Sequence, residues 1–165
     1  MSTLVVAVVS LLLGAVIGFF ARAAEFRRDQ RLKVYGDFIA AFLDAAHEGS
    51  AMYSITVQHG MDSAEAAGLL GERWLAFGTA LQRFEESTAR LRLVGSAIAV
   101  SHSELLEEFV ASNVRAVPPL HRGDVDRWGS AAKVGPSKVD SEAVRLSREF
   151  ADVASADVTT LRRRR

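Results

Sequence analysis

From Ser2 to Ala21 the chain carries no charged side chain and reads STLVVAVVSLLLGAVIGFFA. Polar positions then become frequent, and the apolar ones recur at helical spacing: Leu32, Tyr35, Ile39, Phe42 and Ala46, widened by Phe38 and Leu43. Residues three and four apart share a helix face, and neither a proline nor a turn cluster separates this stripe from the apolar run. One helix is therefore predicted from about Leu4 to His47, or on to Val57, with Gly49 and Gln58-His59-Gly60 as its candidate ends. The uncharged run has the length that crosses a hydrocarbon core of ~30 Å, which takes ~20 residues of α-helix.

Asp62, with Glu65 three residues on, has capping-box spacing and predicts the start of a second helix. Its positions Leu70, Trp74, Phe77, Leu81, Phe84, Thr88 and Leu91 alternate steps of four and three. This is an a/d heptad seam, which needs a partner helix from the same chain or from another copy. Ala89-Arg90-Leu91-Arg92-Leu93-Val94-Gly95-Ser96 closes that helix. Its arginines complement the helix dipole, Gly95 can take left-handed dihedrals, and Ser96 can cap the next helix. A third helix, lined by Ile98, Leu105, Leu106, Phe109, Val110 and Val114, must stop before Pro118-Pro119.

Residues 118–136 hold all three prolines of the chain and predict an exposed loop, with Trp128 able to dock back onto the helices. Ser137 and Asp140 have the spacing to open a fourth helix. Its stripe is Leu146, Phe150, Val153 or Ala154, Val158 and Leu161, ahead of the terminal Arg162 to Arg165. The expected fold is all-α: one N-terminal transmembrane helix (1–21) continuing into a small antiparallel bundle of three to four helices (22–165).

Orientation follows from the cations. Only the α-amino group precedes the apolar run, whereas Arg22, Arg27, Arg28, Arg31 and Lys33 follow it, which predicts an N-terminus outside and a cytoplasmic bundle. These five are candidate contacts to anionic lipid, each worth ~1 kcal/mol near the surface, and they also suffice as a stop-transfer signal. Ala21-Arg22-Ala23 matches a leader-peptidase pattern, but the missing basic n-region, the length of the run and the cations that follow at once favour an anchor. Ser10, Gly14 and Gly18 put small residues on one face at four-residue spacing, where two transmembrane helices can approach closely and self-associate. Glycine is frequent in such helices, so the spacing is not by itself diagnostic.

Twenty basic and twenty acidic side chains cancel, which argues against nucleic acid as a partner, since phosphate binding needs a basic surface. With no cysteine the chain has no disulfide, thiolate metal site or cysteine nucleophile. The histidines are His47, His59, His102 and His121. A di-iron bundle needs two Glu-x-x-His pairs, and the nearest approach is the single pair Asp44-x-x-His47. His102 falls on the apolar side of the third helix near Glu104, where a tuned imidazole and a rim position are both open readings. No nucleophile elbow or glycine-rich phosphate loop occurs. No catalytic, cofactor or metal residue is assigned.

The apolar N-terminus, the segment Arg31-x-x-x-Tyr35-x-x-Phe38 with Ala41 and Leu43 after it, and above all Ala89 to Ser96 together resemble a known group. It comprises the small, mostly uncharacterised membrane-anchored helical proteins of high-GC Gram-positive bacteria and their phages. The resemblance covers the layout and is specific only over those short stretches; the long loop around Trp128 departs from it. It implies a membrane-tethered helical hairpin or bundle and brings no activity or cofactor. The expected function is a membrane-tethered, non-enzymatic interaction or scaffold module that binds membrane lipid and another protein or itself. The alternatives are a phage-type protein of exclusion or defence, and a lipid-binding or enzymatic domain with a pocket between helices.

Overall fold

The computed structural model describes the backbone of residues 2–59, 64–114 and 136–163 and the side chains of residues 25–55, 68–113 and 138–160. That backbone forms α1 (Ser2–His59), α2 (Ala64–Val94), α3 (Ala97–Phe109) with a π-helical turn on its end (Val110–Val114), and α4 (Pro136–Arg163). The described residues contain four α-helices and no strand, so the fold is all-α. The proposed cap Asp62 and the loop residues 118–135 with Trp128 lie outside the described residues.

α1 is a single uninterrupted helix of 58 residues, as its unbroken 3/4 spacing predicts, and it passes through Gly49 to end at His59. No helix among the described residues is long and apolar enough to cross a membrane. The run Ser2–Ala21 is helical in backbone, but its side chains lie outside the described residues, and so do those of Ser10, Gly14, Gly18 and Arg22.

Contacts fix the helix directions. Arg31 reaches the end of α2 at Val94 and the C-terminal part of α4 at Asp157. Phe38 meets Phe84 and Phe150, and Glu48 meets Arg73. α2 and α4 therefore run antiparallel to α1. α3 runs parallel to it, since Tyr35 lies beside Ser96 and Phe42 beside Phe109. The order is up, down, up, down, with α1 packed against α2, α4 and the π-helical turn.

The core is a column of aromatic rings to which every helix contributes. Phe38 stands 4.9 Å from Phe150 and 5.6 Å from Phe84 by ring centroids. Phe42 stands 6.0 Å from Phe84 and 5.7 Å from Phe109, and Tyr35 meets Phe150 edge-on at 6.0 Å. Such offset and edge-to-face pairs add ~0.5–1.5 kcal/mol beyond the area they bury. Alanines at 41, 45, 46, 80, 99, 143 and 154 are buried between the rings and let the backbones approach. Thr88 sits in this seam without an unpaired group, because its hydroxyl and that of Ser87 both donate to the Phe84 carbonyl at 2.8 Å.

Several expected positions differ. Of the α2 seam, Leu70, Phe77, Phe84, Thr88 and Leu91 are buried and Leu81 is partly buried against the core, so the seam's partner lies within the chain. Trp74 is 44% exposed, although Leu70 and Phe77 on either side of it in the seam are buried. Leu32 is exposed at the start of the α1 stripe. In α3 Leu106, Phe109 and Val110 are buried as expected, but Ile98 and Leu105 face solvent and Ala99 and Ser103 are buried in their place; the side chain of Val114 lies outside the described residues. Small residues let α3 lie close to α4. Ser103 enters the core because its hydroxyl donates back to the Val100 carbonyl at 2.7 Å.

At the α2–α3 corner, Gly95 does not adopt left-handed dihedrals. Its amide donates to the Leu91 carbonyl at 2.7 Å, and a Cβ there would stand 2.6 Å from that same oxygen. Glycine is required for close approach. Ser96 caps α3 as its residue type predicts, its side chain accepting from the Ala99 amide at 3.2 Å. α4 starts at Pro136, whose fixed φ and missing N–H suit a first helical position. Ser137 thus lies within the first turn and Asp140 just past it, neither of them ahead of the helix.

Candidate functional site

The densest polar cluster stands at the Arg31 end of the bundle. Arg31 Nε donates to the Val94 carbonyl at 3.1 Å and a terminal guanidinium nitrogen donates to Asp157 Oδ2 at 3.1 Å. The Tyr35 hydroxyl donates to the same Asp157 oxygen at 2.7 Å and accepts from the Ser96 amide at 3.1 Å. One carboxylate, one guanidinium and one phenol thereby tie α1, the α2–α3 corner and α4 together. Burial raises the Tyr35 pKa above its ordinary value of 10.0, and the hydrogen bond to Asp157 reinforces the rise. The lone pairs and donors satisfy one another, which is what a buried polar group needs in order not to cost stability.

This arrangement redefines one of the five predicted lipid contacts, because Arg31 is turned inward with its side chain 25% exposed. Arg27 and Lys33 are exposed and Arg28 is half-buried, with the Arg28 guanidinium 3.2 Å from Asp29. Sequence reasoning missed Asp157 and the Ser96 amide. A signal for Asp157 existed: it continues the α4 face of Phe150 and Ala154 at a spacing of three, where an apolar residue is expected.

Around the same end stand apolar side chains in water: Phe26 is 69% exposed, Leu93 85% and Ile98 67%. Arg92 pairs with Glu107 across the corner at 2.7 Å. α4 continues beyond Asp157 to Arg163, which is ~9 Å of helix and brings its end level with Arg27 and Arg28 of α1.

The opposite end is more open. Asp44 and His47 share an exposed face, as their spacing predicts, and with Glu48, Glu72, Thr79 and Arg83 they line a groove of about 520 Å³ between α1 and α2. No group of three or more potential ligands there or elsewhere among the described residues is arranged to hold a metal ion. Trp74 and the 77% exposed Leu75 border this end. A second groove, of about 470 Å³, runs between α2 and the π-helical turn past Thr88, Arg92 and Glu107. His102 is half-buried on α3. The side chains of His59 and His121 lie outside the described residues.

On exposed α4, Arg145 bridges Glu142 and Glu149, which holds the Glu142 carboxyl below its usual range and the guanidinium above its own.

No protein-family model, curated protein or solved structure matches the chain. The class the structure defines is thus an all-α helical bundle carried on the C-terminal part of one long helix.

Proposed function

We propose that the chain is a membrane-tethered, non-enzymatic interaction module, with its helical bundle on the cytoplasmic side binding another protein or a second copy of itself. The observation that carries this reading is the continuity of α1. The uncharged run Ser2–Ala21 and the first helix of the bundle are one helix, so whatever holds the run also positions the bundle. An uninterrupted run of that length and composition suits a bilayer core, and the cations that follow it suit the cytoplasmic leaflet. Uncovered Trp74 and Leu75 offer the aromatic and aliphatic anchors that protein contacts use, and tethering raises their effective concentration at the membrane.

Crosslinking and mass spectrometry on the full-length protein in its own membranes, with alkaline extraction of the same membranes, test the reading. The protein is expected to resist extraction and to yield one dominant crosslinked protein. Release into the soluble fraction refutes the tether. Self-crosslinks alone, weakened by Gly14→Ile, would favour the alternative of a homo-oligomeric device of the exclusion or defence type.

A further inference from the structure

We propose that α4 is exchanged between copies: each chain's α4 seats on α1 and α3 of a second copy tethered beside it, so that the partner's Asp157 completes the Arg31–Tyr35 cluster. This rests on the tethered reading and specifies how the bundle binds a second copy of itself.

The occupant that fits the seat is α4 itself. Phe150 is fully buried against Tyr35 and Phe38 of α1, with Ala143, Leu146 and Ala154 buried on the same helix face. The polar ties that hold α4 there are concentrated at one residue. Among the described side chains of α4, every hydrogen bond to another helix runs through Asp157, which accepts from Arg31 and Tyr35. The others stay inside the helix. Arg145 bridges Glu142 and Glu149, and the hydroxyls of Ser141, Ser147, Thr159 and Thr160 donate to carbonyls three or four residues back. α4 can therefore leave as a complete helix with its hydroxyls still paired, and a second seat restores the one bond set that it gives up.

The connection ahead of α4 has the length that exchange needs. The π-helical turn after α3 ends at Val114 and α4 begins at Pro136. Since α3 and α4 run antiparallel, these ends lie at the same end of the bundle, about one helix spacing of ~8–10 Å apart. Neighbouring helices are ordinarily joined by ~2–8 residues, whereas residues 115–135 amount to 21. A chain of that length spans up to ~70 Å, well beyond the ~20 Å width of two helices side by side. The advantage of a chain's own seat over a neighbour's falls as the connection lengthens. Copies held in one bilayer stand at the same height and orientation, which presents the neighbouring seat at the right level and at high effective concentration. Closed and exchanged forms make the same contacts within each bundle, so link length and surface density decide between them.

Charge reversal at the shared cluster separates the two arrangements. Full-length Arg31→Asp and Asp157→Arg chains carrying different affinity tags are expressed singly and together, with the double variant Arg31→Asp/Asp157→Arg as control. Each single variant closed on itself opposes like charges, but exchange between the two pairs native Arg31 with native Asp157 in one seat and the reversed charges in the other. Neither variant is expected to accumulate alone as folded protein, and co-expression should raise folded protein several-fold in a complex that carries both tags. Folding of the double variant without rescue in the mixture overturns the exchange. A second measurement does not depend on the reversed pair. Deletion of residues 118–131 leaves ~7 residues in the connection, enough for a chain's own seat and too few to cross a second bundle. Light scattering should find the native chain dimeric and the shortened chain a folded monomer; a monomeric native chain, or a shortened chain that is equally dimeric, overturns the exchange. Alkaline extraction of the same membranes reads the tether separately. Rescue in a chain that is extracted refutes the tether and keeps the exchange, whereas a retained chain without rescue refutes the exchange alone.

Discussion

The two ends of the bundle use ion pairs in opposite ways. At one end Arg31 and Asp157 are 25% and 13% exposed, the carboxylate also accepts from the Tyr35 hydroxyl and the guanidinium also donates to the Val94 carbonyl, and the pair joins residues 126 positions apart in the chain. At the other, Arg73 and Glu48 also lie between two helices, but the arginine is 47% exposed and the pair stands at the edge of an open groove. The inner pair requires all its partners to be in register at once, whereas the outer one is a single pair whose guanidinium stands in water while Glu48 is 19% exposed. The first therefore fixes how the helix ends meet, and the second constrains the helices less. The aromatic column between them serves both ends and sets the overall stability.

The sharpest test of that division is the column. Phe150→Ala, at the contact with Tyr35 and Phe38, is expected to lower unfolding free energy by ~3–5 kcal/mol, read by circular dichroism in denaturant, with both ends losing structure together. Asp157→Ala should follow at ~1–3 kcal/mol, the cost of leaving the partly buried Arg31 and the Tyr35 hydroxyl without their acceptor. Arg31→Lys should lose much of the same energy, because an ammonium cannot reproduce the guanidinium fork that serves Val94 and Asp157 together.

Tyr35→Phe is expected to cost ~1 kcal/mol near neutral pH and to change the alkaline limb. The folded state raises the Tyr35 pKa, so it holds the phenolic proton more tightly than the unfolded chain does. That contribution is fully present below pH ~10 and is lost as pH rises through the higher folded value. Melting temperature should therefore fall above pH ~10 in the native chain and fall less steeply in the variant. Smallest of all, Glu48→Ala should change stability by ~0.2–1 kcal/mol, the range of exposed pairs. A loss at Glu48 equal to that at Asp157 would break the comparison between the two ends.

Much of this fold could be seen in the spacing of apolar residues. The continuity of α1 and the seam of α2 follow from side chains large enough to mark a face, and Ser96 from a local capping preference. Leu106, Phe109 and Val110 of α3 were legible, but the first half of its buried face was hidden because it is built from Ala99 and Ser103, which hydropathy ranks below the exposed Ile98 and Leu105. A buried serine that satisfies its hydroxyl on its own backbone leaves no polar deficit for a pattern to detect. The role of Gly95 was misjudged for a related reason: a glycine needed for space and one needed for dihedral freedom look alike in a sequence. The Arg31 cluster was only half legible. Its arginine stood out as one of five cations, but its partner lies on the last helix, and nothing local to residue 31 distinguishes a clamp from a solvated charge.

The unbroken α1 also stores an angle. Because no kink or loop intervenes, the direction in which the α2–α3 corner faces, relative to the face bearing Gly14 and Gly18, is set by the number of residues between them. One residue inserted between positions 22 and 30 would swing the whole bundle by ~100° about the helix axis while moving it only ~1.5 Å along it. Seven inserted residues would return the corner to within ~20° of its original bearing. Any activity that depends on which way the bundle faces should accordingly vanish with a single insertion and reappear with a heptad, a periodicity that a flexible stalk would not impose.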